Sequence, residues 1–275
     1  MKVNRVYTAY FSPTGTTRTV ITRLAHAIAA HLKIPIEIWD FTLPKHRQQL
    51  PQSVYSDLFL IGLPVYAGRL PNLMLDYLSA FTGQGALAVP IVMFGNRSYG
   101  NALIELRDLL ENSGFHTIAA AAFVGQHSFS DVLAKGRPDT KDLELTDRFA
   151  ENIIARIKAI STIGSLTPVN VPGKGAPNYG GYYKPLGNTG APVNILKVKP
   201  ITITDCIDCK RCVAVCPLGS IDPEAVDRIN GICIKCNACI KICPVHAKQL
   251  DNPAYLSHCQ YLETTYNSRA EVELF

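Results

Sequence analysis

The sequence predicts an α/β protein in two parts: a doubly wound, five-stranded parallel sheet in residues 1–163 and a small α+β domain in residues 201–250. Two observations predict the first part. Strand and helix patterns alternate five times, and the strand segments are almost uninterrupted apolar runs, as in parallel strands that are covered on both faces. A third observation predicts the second part: eight of the nine cysteines fall in two short runs with the same spacing.

The five strands are predicted from stretches that are rich in apolar, β-branched and aromatic residues. These stretches are Val3–Phe11, Pro35–Thr42, Leu58–Val65, Ala86–Phe94 and Thr117–Val124. In such a sheet, ligands bind beyond the carboxyl ends of the strands, near the point where the strand order reverses. The loops that directly follow the strands are therefore the first places to search for a binding site.

The helices are predicted from apolar residues at helical spacing. The first helix carries a stripe made of Val20, Leu24, Ile28 and Leu32. Pro71 opens a second helix that runs to Phe81, at a position where proline is favoured. The third covers Ala102–Ser113 and ends at Gly114. The last covers Asp142–Ile163, and its inward-facing residues are Phe149, Ile153, Ile157 and Ile160.

Two further segments complete the domain organisation. Residues 164–200 are rich in glycine and proline and contain Tyr179, Tyr182 and Tyr183, so they cannot form a helix or a central strand. The glycine and proline content fits a free linker. The tyrosines fit an ordered arm that packs them on a domain, because free linkers usually lack aromatic residues. Residues 251–275 form a C-terminal extension.

Both cysteine runs spell C-x2-C-x2-C-x3-C-P. This spacing is typical of cubane iron–sulfur clusters, in which the fourth cysteine of each run binds the cluster of the other run. It predicts one [4Fe–4S] cluster on Cys206, Cys209, Cys212 and Cys243, and a second on Cys216, Cys233, Cys236 and Cys239. We expect the first three cysteines of a run on a tight loop and the fourth on the following helix. Zinc sites and disulfides are the alternatives, and neither needs a third cysteine at i+6 or a fourth before proline.

Thiolate ligands require a reducing compartment, which predicts the cytoplasm of an organism that tolerates oxygen poorly. No signal peptide opens the chain, because Asn4 and Arg5 interrupt any apolar run there. No apolar run approaches the roughly 18 residues needed to span a bilayer.

The ninth cysteine, Cys259, is favoured as a small buried apolar residue over a redox switch.

Three loops follow the first, third and fourth strands and should meet at one edge of the sheet: Ser12–Thr17, Pro64–Arg69 and Gly95–Gly100. The first places four hydroxyl side chains around Gly15 at the start of a helix, where backbone N–H groups and the helix dipole favour a phosphate. Those hydroxyls belong to Ser12, Thr14, Thr16 and Thr17. Plain helix capping is the alternative. The loop lacks the lysine of a Walker motif and the glycines of a dinucleotide motif.

The other two loops combine aromatic rings with small residues, which suits a flat ring ligand. Tyr66 and Tyr99 supply the rings. The candidate ring-binding residues are Pro64, Val65, Tyr66, Ala67, Gly68, Gly95, Asn96, Arg97, Tyr99 and Gly100.

These three loops resemble the FMN loops of flavodoxins, and residues 202–250 resemble a bacterial two-cluster ferredoxin. The order of the two parts is similar to that of the flavodoxin–ferredoxin fusion proteins of anaerobic bacteria and archaea. The resemblance covers nearly the whole chain. It implies a flavodoxin-like fold and a noncovalent FMN, with its phosphate at Ser12–Thr17 and its isoalloxazine ring between the second and third loops.

The charge differs from that of ordinary flavodoxins, which are strongly acidic around the flavin. Here the ring loops carry Arg69 and Arg97 and no carboxylate. Guanidinium groups near the ring would raise the potential of the flavin, unless both arginines face solvent or pair with carboxylates elsewhere. The formal charge of +5 is offset by about −2 for each bound cluster and about −2 for the flavin phosphate, so it does not indicate nucleic-acid binding.

His127 follows the fifth strand at the same edge of the sheet. A neutral, hydrogen-bonded loop histidine is favoured over a proton donor to flavin or substrate, although the usual histidine pKa suits that role.

The pair of cofactors indicates a protein that carries electrons between a low-potential donor, two clusters, FMN and an acceptor. The expected partners are low-potential redox proteins, as donor or acceptor, with a small-molecule acceptor as a further candidate; neither nucleic acid nor a membrane is expected. The alternative is an FMN-dependent reductase of a quinone, a nitro compound or a similar acceptor. A redox sensor is a third interpretation, and no DNA-binding motif supports it. No NAD(P) site is recognisable.

Overall fold

The computed structural model describes residues 2–275. Its central sheet contains the parallel strands β1 (Arg5–Tyr10), β2 (Ile36–Asp40), β3 (Asp57–Pro64), β4 (Leu87–Phe94), β5 (His116–Thr117) and β6 (Ala121–Val124). The strand order is β2-β1-β3-β4-β6, and β5 also pairs with β4. This is the strand order of the flavodoxin-like doubly wound sheet, and it confirms the predicted fold class. The predicted fifth strand is interrupted and forms the two pieces β5 and β6.

Helices cover both faces of the sheet. On one face, α1 (Thr16–Leu32) and α4 (Thr140–Ala159) pack against strand residues such as Val6 and Leu60. On the other face, α2 (Leu75–Ser79) and α3 (Ala102–Asn112) pack against Tyr7, Phe59 and Ile61. Successive strand side chains thus enter two different cores, which explains why the strands read as continuous apolar runs. The inward-facing residues predicted for α4 are all buried.

Two helices differ from their predicted ranges. The segment predicted as one helix from Pro71 to Phe81 is a 3-10 turn at Asn72–Met74 followed by the short α2. Helix α4 starts two residues earlier than predicted, because the Asp139 side chain accepts the backbone N–H of Asp142 and the Asp142 side chain accepts that of Asp139. It ends at Ala159 instead of Ile163, since Ile160 is already extended. Further 3-10 turns lie at Pro44–Gln48 and Ile163–Ser165.

Residues 164–200 lie against the sheet domain along much of their length. The Val169 backbone N–H donates to the Thr117 carbonyl at 3.1 Å, and that of Tyr183 donates to the Ala67 carbonyl at 2.8 Å. The Tyr179 hydroxyl donates to Asp108 at 3.0 Å. We therefore call residues 164–200 the arm; its tyrosines pack on α3 and on the second of the three predicted loops.

The cysteine domain is built on the antiparallel pair β7 (Ile201–Thr202) and β8 (Lys248–Gln249). Two short helices, α5 (Arg211–Ala214) and α6 (Ala238–Lys241), contact each other between those strands. They contain the third cysteine of each run, Cys212 and Cys239, while the fourth cysteine lies in the turn after the helix. The prediction that the fourth cysteine lies on the helix was therefore wrong, because each helix ends before it reaches that residue.

The C-terminal extension returns to the sheet. Helix α7 (Pro253–Thr265) is followed by β9 (Glu273–Leu274), which pairs antiparallel with β6 at the edge of the sheet. Backbone hydrogen bonds between Ala120 and Phe275 continue this pairing. The extension covers part of an edge strand that would otherwise expose unpaired backbone groups. No helix within residues 2–275 combines the length and the apolar character needed to cross a membrane.

Candidate functional site

The first predicted loop forms a small cavity at the start of α1. Gly15 caps this helix with φ 88°. In the first turn the Arg18 N–H donates to Ser12 Oγ at 3.0 Å, whereas the N–H groups of Thr16 and Thr17 have no hydrogen-bond partner within residues 2–275. Ser12, Thr14, Thr16 and Thr17 line the cavity, whose volume is about 470 Å³. Unsatisfied helix N–H groups beside hydroxyl side chains suit an anionic oxygen group such as a phosphate. We call this cavity the cradle.

A larger cavity of about 1140 Å³ adjoins the cradle, and we call it the chamber. The two cavities share Val65, Tyr66, His127 and Ser128 as lining residues. Ala67 and Arg97 of the predicted loops also line the chamber, while Pro64 and Gly95 line the cradle. Most of the predicted loop residues thus border one continuous site at the carboxyl edge of the sheet, which is where this fold places ligands.

Four predicted ring-binding residues line neither cavity. The Tyr99 hydroxyl donates to Glu273 of β9 at 2.8 Å, and the Asn96 side chain hydrogen-bonds backbone groups of residues 266–270. Gly68 and Gly100 pack on each other, since a Cβ on Gly100 would lie 2.5 Å from the Gly68 carbonyl oxygen. These four residues are therefore engaged by the C-terminal extension or by each other and do not border the ligand site.

The two arginines of the ring loops have different surroundings. Arg69 forms a two-pronged ion pair with the buried Glu105 at 2.8 and 2.6 Å, and its guanidinium lies over the rings of Tyr179 and Tyr182. Arg97 lies over the Tyr183 ring at 4.0 Å and lines the chamber. Arg69 is thus paired with a carboxylate outside the ring loops, whereas Arg97 faces the ligand cavity.

Two histidines on the chamber wall carry opposite tautomers. The Phe129 backbone N–H donates to His127 Nδ1 at 3.1 Å, so the ring hydrogen of neutral His127 resides on Nε2. His258 Nδ1 lies 2.8 Å from the Leu186 carbonyl oxygen and must donate, which leaves His258 Nε2 as an acceptor. Burial, with a smaller effect of His258 and Arg97, lowers the pKa of His127 to about 4. His127 is therefore a neutral hydrogen-bonding residue near pH 7.

The eight cysteines surround two cavities in the grouping that the spacing predicted. Cys206, Cys209, Cys212 and Cys243 line one cavity of about 330 Å³. Cys216, Cys233, Cys236 and Cys239 line another of about 400 Å³. We call these the outer set and the inner set. Within residues 2–275, no three histidine, cysteine or carboxylate side chains converge closely enough to hold a single metal ion.

Backbone groups and burial act differently on the sulfurs. Cys216 Sγ accepts the Ser220 N–H at 3.3 Å, and Cys243 Sγ accepts the Ala247 N–H at 3.2 Å. Burial raises the pKa of Cys236 and of Cys239 to about 12. These thiols would stay protonated without a metal, so thiolate formation there is coupled to metal binding. Burial also raises the pKa of Cys259 to about 11, which fits its interpretation as a small buried residue.

The inner set reaches the cradle. Cys236 lines both the cavity of the inner set and the cradle, and its neighbour Asn237 donates to the Ser128 carbonyl at 3.0 Å. Tyr66 of the second loop lines the cradle together with Cys236, and burial, reinforced by Cys236 and Cys233, raises the pKa of Tyr66. Arg47 on the sheet domain also donates to the Pro217 carbonyl at 2.6 Å. The two halves of the molecule therefore meet at the candidate ligand site.

Comparison with known proteins assigns part of the chain. Residues 205–248 match the family model of the 4Fe-4S dicluster domain. This match confirms the ferredoxin-like iron–sulfur part. No curated protein sequence matches the chain.

Solved structures similar to the sheet domain are distant. An archaeal flavodoxin shares 15% identity over 56% of this chain and 99% of its own, with a TM-score of 0.41. A rubredoxin oxygen:oxidoreductase from the anaerobe Desulfovibrio gigas shares 19% identity over 57% of this chain and 37% of its own, with a TM-score of 0.43. Flavodoxin 2 from Bacillus cereus shares 13% identity over 57% and 99%, with a TM-score of 0.38. The fold assignment rests on the strand order of the sheet.

Several lining residues were not predicted from the sequence. Gly125, Gln126 and Ser128 line the cradle and follow β6 at the same edge as the other loops. These residues could have been predicted, because they follow a predicted strand and are neighbours of His127 in the sequence. Phe129, Tyr183 and His258 line the chamber and come from the fifth loop, the arm and α7. For the last two no local signal exists, because they reach the chamber only through long-range packing.

Proposed function

We propose that this protein is an electron carrier in which an external low-potential donor reduces a [4Fe–4S] cluster on the outer set, and electrons then pass through a second cluster on the inner set to FMN. FMN would deliver them to an acceptor. The thiolate ligands that this requires fit a reducing compartment. The observation that carries the proposal is the position of Cys236, which borders both the inner set and the cradle.

The two cysteine sets support an order of transfer. Part of the outer set lies at the surface: Cys209 is exposed and the nearby Ile207 side chain is 61% exposed, whereas Cys212 is buried. In the inner set, Cys236 and Cys239 are buried. A protein donor can approach the outer set directly, whereas the inner set is screened by the sheet domain. A linear path through outer set, inner set and flavin follows from this arrangement.

The residues of the cradle fit the phosphate of FMN. The helix start and four hydroxyl-bearing residues supply hydrogen-bond donors, and no carboxylate lines the cavity within the described chain. Tyr66 and the small residues Ala67 and Gly95 leave room for a flat ring beside the inner set. Bound FMN can hold one or two electrons, which suits the junction between one-electron clusters and an acceptor.

The chain's own residues have three tasks in this function. The arm and Arg47 hold the cysteine domain against the sheet domain, which keeps the donor and acceptor groups at fixed positions. Ser220 and Ala247 donate hydrogen bonds to Cys216 and Cys243, and such bonds to sulfur tune cluster potentials. Linking the groups in one chain also replaces a bimolecular encounter by a high effective concentration.

The test uses anaerobic holoprotein and a reduced bacterial two-cluster ferredoxin as donor. We expect Cys236→Ala to slow flavin reduction on the order of a hundredfold, because the linked path is broken, while the outer cluster is still reduced. Cys209→Ala should prevent reduction of both the inner cluster and the flavin. Stopped-flow absorbance follows the flavin, and freeze-quenched electron paramagnetic resonance follows the clusters.

Cys259→Ala is the matched control, because Cys259 is buried and belongs to neither set. It should leave the rate unchanged. Flavin reduction at the wild-type rate in Cys236→Ala would show that electrons bypass the inner set and would refute the proposed path.

A further inference from the structure

The chamber extends well beyond the three loops that would hold a flavin ring. Part of its wall comes from the arm, through Tyr182 and Tyr183, and part from the cysteine domain, through Ile234 and Lys235. Helix α7 adds His258. A simple electron carrier needs only an exposed edge of the flavin ring. Here three further segments of the chain enclose additional space next to the place of the ring. This enclosure is characteristic of pockets that bind small molecules.

The chamber is cationic. Among residues 2–275, no aspartate or glutamate lines it, whereas Arg97 and Lys235 do. The Lys235 ammonium is already used, since it donates to the carbonyls of Leu196 and Cys233 at 3.0 and 3.1 Å. The Arg97 guanidinium forms no ion pair or side-chain hydrogen bond within the described chain; it lies over the face of Tyr183 and beside Gly68. Five N–H donors of a fixed positive charge are therefore available to a ligand.

The two arginines of the ring loops differ in that Arg69 pairs with a carboxylate of the protein, whereas Arg97 pairs with none within residues 2–275. Arg69 lies on the adjacent loop and is neutralised by the buried Glu105. An unpaired guanidinium in a half-buried wall costs desolvation without a compensating partner. Planar carboxylate-type and sulfonate-type groups provide that partner, because they accept several guanidinium hydrogen bonds at once.

The two chamber histidines add a matched polar pair. Neither His127 Nε2, a donor, nor His258 Nε2, an acceptor, has a hydrogen-bond partner within residues 2–275. Phe129 lies between them, with ring centroids 5.2 Å from His127 and 6.3 Å from His258. Aromatic faces with one donor and one acceptor suit a planar ligand that carries carbonyl oxygens.

From these contacts we propose that the chamber binds a second small molecule beside FMN, a planar conjugated carbonyl compound that carries a negative charge, such as an anionic quinone. Its anionic group binds Arg97, its ring contacts Phe129, and one carbonyl oxygen accepts the hydrogen bond of His127. This inference rests on the proposed function, because it requires the flavin in the adjoining site.

The reaction that such a site serves is a two-electron reduction. A flavin bound in the adjoining site, kept reduced by the external donor of the proposed path, would supply the two electrons, and the solvent would supply two protons. Both carbonyl groups become hydroxyl groups. His127 is neutral and acts as a hydrogen-bond donor to the carbonyl oxygen, and His258 Nε2 can accept a hydrogen bond from a product hydroxyl. Both histidines are binding residues in this scheme.

The test measures binding to the oxidised holoprotein, after its flavin and iron contents have been determined. The probes are a naphthoquinone sulfonate and the uncharged parent naphthoquinone, measured by equilibrium dialysis. We expect Arg97→Gln to weaken binding of the sulfonate by about tenfold or more, because a hydrogen-bonded charged group is lost. Binding of the uncharged probe, measured per bound flavin, should not change. Arg97→Lys, which keeps the charge, should restore part of the affinity.

Arg148→Gln is the control variant, since Arg148 is an exposed arginine of α4. Equal loss for both probes, loss of flavin in Arg97→Gln, or no binding of the sulfonate to flavin-replete protein would each overturn the inference. The last two results leave the proposed electron path intact. Protein that holds its clusters and cannot bind FMN at all would overturn the proposed function and, with it, this inference.

Discussion

The two cysteine runs have nearly the same backbone. In the first run, Asp208 and Lys210 have φ values of 51° and 58°; at the equivalent positions of the second run, Lys235 and Asn237 have 55° and 60°. All four adopt the left-handed conformation without being glycine, which costs of order 1 kcal/mol or more at each position. Two runs that share this costly conformation share one task, the wrapping of a cluster by a tight loop.

Their surroundings differ at two pairs of equivalent positions, Ile207 and Ile234, and Lys210 and Asn237. Ile207 is 61% exposed, whereas Ile234 packs against the core on one face of the sheet. Lys210 forms an exposed ion pair with Asp208, whereas Asn237 is buried and donates to the Ser128 carbonyl and the Tyr255 hydroxyl. Residue spacing thus determines how a run wraps its cluster. Docking on the sheet domain determines whether the loop of that run is exposed or packed beside the cradle.

The largest expected effect tests the assignment of ligands to the two sets. Anaerobically prepared protein should hold about eight iron atoms per chain. Because each run donates its fourth cysteine to the other set, Cys243→Ala should remove the exposed outer cluster, and Cys216→Ala should remove the buried inner one. Iron analysis should give about four atoms in each variant, and electron paramagnetic resonance should show which cluster remains. Loss of the inner cluster in Cys243→Ala, or zinc in place of iron, would contradict the assignment.

A second variant separates the flavin site from both cysteine sets. Gly15 has φ 88°, and Gly15→Val should weaken FMN binding about tenfold or more, because a β-branched residue is strained there and disturbs the cradle. Iron content should not change. FMN titration into flavin-free protein measures the affinity.

Gly190→Val is a matched control for this variant. Gly190 has φ 79° with no atom within 4 Å of an added Cβ, so it reproduces the backbone strain away from the cradle. Wild-type FMN affinity in Gly15→Val would contradict the phosphate assignment.

The smallest expected effect tests docking itself at two equivalent positions. Asn237→Ala removes two buried hydrogen bonds of the inner run and should destabilise the holoprotein by about 1–3 kcal/mol. Lys210→Ala also introduces alanine, at the equivalent position of the outer run and in a similar backbone conformation. Only an exposed ion pair is lost there. The free energy of unfolding of Lys210→Ala should stay within about 0.5 kcal/mol of the wild-type value. Anaerobic urea unfolding measures both variants. Equal destabilisation would mean that the two runs do not differ in docking.

The sequence by itself determined the sheet, its flanking helices and the grouping of the cysteines. Strand and helix periodicity and the C-x2-C-x2-C-x3-C spacing are local patterns, and local backbone geometry is sufficient to produce them. The cradle was predictable for the same reason: the loops after parallel strands meet at one edge, and Gly15 starts a helix there.

The tertiary structure decided which side chains face the ligand site. Tyr99 is taken by Glu273, 174 positions away, and Asn96 by the backbone of residues 266–270. Arg69 is paired with Glu105 of α3, which leaves Arg97 as the guanidinium free for a ligand. His258 and Tyr183 reach the chamber from α7 and the arm. These placements depend on contacts between segments far apart in the chain, and the free energy of such contacts comes from packing that no local pattern encodes.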